Sequence, residues 1–76
     1  MKGTIKTIRD KTFGFIRATN NGEYFFHRED FIGHWQDLIL DFNEGIQIEV
    51  EFSVETMPKG PRARNVKRVD FPNEVA

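Results

Sequence analysis

Ile46, Ile48, Val50 and Phe52 alternate with Gln47, Glu49 and Glu51. Successive side chains on a strand point to opposite faces, so this stretch predicts a strand from Ile46 to Phe52 with one buried and one wetted face. The same period recurs more weakly elsewhere. Thr4 to Ile8 is β-branched, with Lys6 on the face opposite Ile5. Phe13 to Arg17 and Glu23 to His27 read as short aromatic strands. Between them, Asn20-Asn21-Gly22 supplies residues that tolerate positive φ, which predicts a hairpin. Glu44-Gly45 reads as a turn before the fourth strand. A fifth strand, Ala63 to Val69, follows Met57-Pro58-Lys59-Gly60-Pro61, where two prolines and a glycine predict an irregular loop.

One segment breaks the period of two. Phe31, Trp35, Leu38, Ile39 and Phe42 recur at three- and four-residue steps. That spacing suits a short helical turn and, equally, a long connection carrying one 3₁₀ turn. Five short strands with so little helix predict an all-β fold, and closure into a barrel spares so small a sheet its exposed edges. The 76 residues hold one domain. Residues 1–70 are expected to form it and 71–76 to be a flexible tail, because Pro72 and Asn73 end any pairing.

Composition changes this picture little. The chain has no Cys, which removes a disulfide framework or a thiolate zinc site and fits a reducing compartment. No stretch is long and apolar enough to span a bilayer, and Met1 to Thr7 lacks the apolar core of a signal peptide. The expectation is a soluble cytoplasmic protein.

Charge changes it more. The net charge of −1 speaks against a polyanion partner, but the charges are unevenly placed. Residues 1–28 carry Lys2, Lys6, Arg9, Lys11, Arg17 and Arg28 against Asp10 and Glu23. Residues 29–57 hold eight acids and no Lys or Arg, and residues 58–76 are basic again. A fold that joins the two ends is expected to have a basic side and an acidic side.

The aromatic residues are clustered too. Of ten, seven lie between positions 13 and 35: Phe13, Phe15, Tyr24, Phe25, Phe26, Phe31 and Trp35. In Phe13-Gly14-Phe15-Ile16 the two Phe side chains share one face and Ile16 takes the other. With β-branched Ile16 in the core, both Phe residues point outward. With His27 in solvent, Phe26 turns inward and Phe25 outward. An outer face bearing Phe13, Phe15, Phe25 and His27 is costly unless it has a ligand. Unpaired bases stack on such rings for about 1–3 kcal/mol each, with little dependence on sequence. Lys6, Lys11, Arg17 and Arg28 flank the region and are placed to meet phosphates.

These motifs resemble a known family. Lys11-Thr12-Phe13-Gly14-Phe15-Ile16 is similar to the first ribonucleoprotein motif, and Tyr24-Phe25-Phe26-His27 to the second motif of cold-shock domains. Gly3-Thr4-Ile5-Lys6, Glu44-Gly45 and Lys59-Gly60-Pro61 followed by Ala63 and Asn65-Val66 resemble the family's first strand, its turn before strand four and its strand five. The matches fall in family order over roughly residues 2–69. The resemblance implies a five-stranded antiparallel Greek-key OB-type β-barrel. It also implies sequence-tolerant binding of single-stranded RNA or DNA, RNA-chaperone-like, with no cofactor. Carried over by position, the stacking residues are Phe13, Phe15, Phe25 and His27, with Lys6 as a phosphate or base contact and Lys11 before the first motif. An RNA-recognition motif has its two aromatic motifs in the reverse order and needs two helices, so it does not fit.

The chain departs from the family at Thr7, Ile8 and Arg28, where aromatics are usual, and at Thr12, where Gly is. The loop at Arg9-Asp10 is one residue shorter. Three stacking positions are thus expected to be missing, with Arg28 compensating through its guanidinium. Trp35 reads equally as a substitute base contact and as a plug under its connection. A second reading follows from the same losses and from the acidic block: an OB-fold protein-interaction module with weakened or lost nucleic-acid binding. His27, His34, Glu29 and Asp30 match no metal-ligand spacing, and no nucleophile–base pair is visible, so neither metal nor enzyme is expected. A monomer is expected, with a strand-exchanged dimer as the alternative.

Overall fold

A computed structural model describes residues 1–69. The strands are β1 (Lys2–Arg9), β2 (Phe13–Ala18), β3 (Glu23–His27), β4 (Glu49–Met57) and β5 (Gly60–Arg68), with a 3₁₀ turn at Arg28–Asp30 and one helix, α1 (Trp35–Asn43). They close into a barrel in the order β1-β2-β3-β5-β4. The expected tail, 71–76, lies outside the described residues.

Hairpins make most of the barrel. Asp10 and Lys11 both adopt positive φ (55° and 54°), and Thr12 N–H donates to the Arg9 carbonyl at 3.0 Å, so β1 reverses into β2 through the turn Asp10-Lys11-Thr12. Asn21 (φ 70°) performs the next reversal, helped by Asn20 Oδ1, which accepts from Gly22 N–H at 2.8 Å. Closure uses two seams. β1 meets β4 antiparallel, and Met1 and Phe52 exchange two backbone hydrogen bonds of 2.8 Å. β3 meets β5 in parallel, through Phe25 opposite Arg62, with Phe31 bridging to Val66 beyond it. The sheet is therefore mixed, where an all-antiparallel one was expected.

The core is formed by Ile5, Ile16, Ala18, Phe26, Leu38, Ile48, Val50, Phe52, Ala63 and Val66. Ile16 and Phe26 are wholly buried, as the alternation requires. The ambiguous connection, Phe31 to Phe42, takes the helical alternative. A 3₁₀ turn follows β3, and α1 lays Leu38 against the barrel, with Trp35 and Phe42 packed beside it.

Two boundaries differ from the sequence expectation. Ile46 is 43% exposed, outside β4. Its N–H donates to the Asp41 carbonyl at 3.1 Å, and Gly45 N–H (φ 84°) to Phe42 at 3.0 Å, which is the paired capping pattern of a helix C-terminus. Helix termination takes Ile46 away from the sheet. Second, the Pro-rich loop shrinks to a tight turn at Pro58-Lys59. β5 begins at Gly60, with Met57 opposite Gly60 and Thr56 opposite Pro61. Proline is admissible there because it sits at the strand's start.

Gly14 is required by packing, not by its backbone angles. A Cβ there would lie 2.5 Å from the Thr7 carbonyl oxygen and 2.9 Å from the Phe26 ring. The carbonyl is fixed in the β1–β2 ladder and the ring fills the core, so neither has room to yield. Gly14→Ala is expected to cost about 1–3 kcal/mol of stability, the range for overpacking. A urea-unfolding midpoint measures it.

Candidate nucleic-acid interface

The register of β1, β2 and β3 builds the outer face row by row, because residues directly opposite on neighbouring strands share a face. Thr7 lies opposite Phe15, Phe15 opposite Phe25, and Phe25 opposite Arg62. The next row is Arg9, Phe13 and His27. Four of the expected residues, Phe13, Phe15, Phe25 and His27, thus form one array, all half-buried.

Its rings touch. The centroids of Phe13 and Phe15 are 6.1 Å apart, those of Phe13 and Phe25 5.6 Å, and those of Phe15 and Phe25 5.9 Å, in tilted or edge-on arrangements. Such mutual packing holds each ring in place without burying it. His27 is fixed by backbone: its Nδ1 accepts from Glu29 N–H at 3.1 Å and its own N–H donates to Asp30 Oδ2 at 2.9 Å. With Nδ1 accepting, the neutral ring carries its proton on Nε2.

A β-bulge between Ile5 and Thr7 decides what surrounds this array. After it, Ile8 lies opposite Gly14, on the inner face, and packs against the core. Position 8 is therefore no lost stacking position, contrary to expectation. The bulge also turns Arg9 outward beside Phe13. Thr7 does stand on the array's row, so an aromatic is absent there. Thr7→Trp is expected to tighten binding of a single strand about tenfold, within the range for one added stacked base, read by fluorescence anisotropy.

The remaining expected residues fall into two groups. Lys6 and Arg17 both bond Glu23, Arg17 Nη2 at 3.2 Å from Oε2. Their hydrogen bonds, Lys6 first, hold the Glu23 carboxyl below its usual range. Any phosphate there competes with a carboxylate. Arg28 and Trp35 line a separate concavity with Glu29 and His34. The Trp35 ring packs edge-on to Phe26 (5.9 Å) and Phe31 (5.8 Å), and its Nε1–H donates to the Lys11 carbonyl at 2.9 Å. Trp35 is thus a plug between the β1–β2 turn and the core, outside the phenylalanine array. Arg28 makes no ring contact among the described residues.

The expected basic side is smaller than the charge pattern implied. Arg62 and Arg64 pair with Asp30, Arg64 also with Glu55, and Arg68 with Asp41. The middle acidic block thus neutralises the arginines of β5. Arg9, Lys11, Arg28 and Lys59 make no ion pair among the described residues. Arg9 and Arg62, both beside the rings, are the contributors that sequence periodicity did not reveal.

The model of the 'Cold-shock' DNA-binding domain matches residues 1–69. The chain belongs to that family. Nucleic-acid binding is the general function of a cold-shock domain, and the surface aromatic array fits it. Among curated proteins none matches the chain. No helix of this cold-shock domain, among the described residues, is long and apolar enough to cross a membrane.

Proposed function

We propose that this cold-shock domain binds single-stranded nucleic acid with little sequence preference, stacking unpaired bases on Phe13, Phe15, Phe25 and His27. In doing so it holds RNA unpaired, as an RNA chaperone in the cytoplasm. The observation that carries the proposal is the triangle of half-exposed phenylalanine rings, 5.6–6.1 Å apart, on the outside of the barrel. Bases in a duplex present no free face to such rings, whereas every unpaired base does.

The ionic part of binding is modest. With Lys6 and Arg17 engaged by Glu23, contacts to phosphate fall to Arg9, Lys11, Arg28 and Lys59. Four neutralised phosphates on a single strand correspond to a slope of about −3 in log affinity against log salt. A salt titration of a fluorescent single-stranded oligonucleotide is expected to give that slope and to leave binding detectable in high salt through stacking. A duplex of the same sequence is expected to bind far more weakly. Absence of single-strand binding at low salt would replace the proposal with a protein-interaction role.

A further inference from the structure

Among the described residues Asp30 is the one charged residue that is buried as a whole, at 5% exposed. Sequence context gives no hint of this, since it sits within an acidic block. Its Oδ2 accepts from His27 N–H at 2.9 Å and from Arg62 Nε at 2.8 Å, and its Oδ1 lies 2.9 Å from Arg64 Nε. One carboxylate therefore joins the backbone of a platform residue to two arginines of β5.

The consequence falls on Arg62. Its guanidinium carbon lies 5.7 Å from the centroid of the Phe25 ring, at the end of the row Thr7, Phe15, Phe25. Asp30 engages it through Nε, so neither terminal nitrogen is needed for that bond. A planar cation is thereby continued from the aromatic array. Beside it the tip of the β4–β5 hairpin overhangs a cleft of ≈ 670 Å³, lined by Phe25, Met57, Pro58, Lys59, Pro61 and Arg62. Apolar walls, one flat cation and one flexible cation suit a nucleobase with its phosphate.

We propose that Arg62 is a base-stacking residue at this cleft, and that Asp30 is a positioning residue which holds its guanidinium in place. The proposal rests on the single-strand reading above. It assigns to Arg62 the extra plane that Arg28 was expected to supply. A free arginine side chain loses much rotamer freedom when it stacks on a ligand. Here Asp30 and Phe25 impose that order before the ligand arrives.

Charge and plane can be separated by substitution. Arg62→Lys keeps the charge and can still pair with Asp30, but has no plane. Asp30→Asn can still accept from His27 N–H while its ionic hold on Arg62 is lost. Affinity for a fluorescent single-stranded oligothymidylate is measured over a salt series and extrapolated to 1 M salt, where phosphate contacts no longer contribute. Circular dichroism gives the folded fraction, by which each affinity is corrected. Arg62→Lys is expected to lower the extrapolated affinity about five- to tenfold with an unchanged salt slope. Asp30→Asn is expected to lower it too, although its added net positive charge raises affinity at low salt. Arg62→Lys binding as wild type at every salt would show a charge contact or a structural pair only, and overturn the stacking role. A folded Asp30→Asn with wild-type affinity at 1 M salt would overturn the positioning role. If the wild-type domain itself fails to bind the strand, the fault lies with the single-strand reading.

Discussion

Phe26→Ala should remove a large part of the domain's stability, while the neighbouring Phe25→Ala should remove much less. Phe26 is wholly buried, lies against the Trp35 ring and fills the space opposite Gly14. Truncating a buried phenylalanine costs about 3–5 kcal/mol in lost transfer energy and residual cavity. A domain of 76 residues has in total roughly 4–11 kcal/mol, so one such loss takes about a third of it or more. Phe25 is half-exposed, and its ring contacts are with Phe13, Phe15 and the Arg62 guanidinium. Losing those contacts costs about 0.5–1.5 kcal/mol for each ring pair. Urea unfolding of both variants, followed by circular dichroism, separates the two faces of β3. A Phe25→Ala variant as unstable as Phe26→Ala would invert the face assignment.

The larger effect on binding belongs to the double variant Phe15→Ala with Phe25→Ala. It removes both rings of one cross-strand row and leaves Phe13 without either ring neighbour. Two stacked bases at about 1–3 kcal/mol each predict at least a 30-fold loss of affinity for a single strand. The salt slope should stay the same, because no cation has been removed. Isothermal titration calorimetry at two salt concentrations measures both quantities. Undiminished affinity with an unchanged slope would mean that the strand binds elsewhere. The two rings are in contact, so the single variants need not add up to the double.

Much of this surface was legible in the sequence because alternation leaves little freedom. Ile16 between Phe15 and Arg17, and Phe26 between Phe25 and His27, fix which face each strand presents. Alternation fails where the backbone departs from it. The bulge between Ile5 and Thr7 turns both Ile5 and Ile8 inward and brings Arg9 beside Phe13, which strict alternation from Ile5 does not give. Ile46 continued a perfect alternating pattern, yet the cap of α1 claims its N–H. The helix itself was only half readable, since five apolar residues at helical spacing also describe a loop with a 3₁₀ turn.

The role of Asp30 lies beyond any local pattern. Its arginine partners are 32 and 34 positions away, across the parallel β3–β5 seam. Nothing in the residue types around it distinguishes it from Glu29, which is exposed. Charge segregation along the chain fails as a guide for the same reason. Three acids of the middle segment, Asp30, Asp41 and Glu55, pair with the arginines of β5, so linear blocks of charge do not stay apart in the fold.

The most direct test of the interface is a ¹H–¹³C NMR titration of the aromatic side chains with a single-stranded hexanucleotide. Ring protons of Phe13, Phe15, Phe25 and His27 are expected to shift together along one saturation curve, while those of Phe26 and Phe52, inside the barrel, change little. Saturable binding that left those four rings unmoved would contradict the aromatic face as the site of recognition.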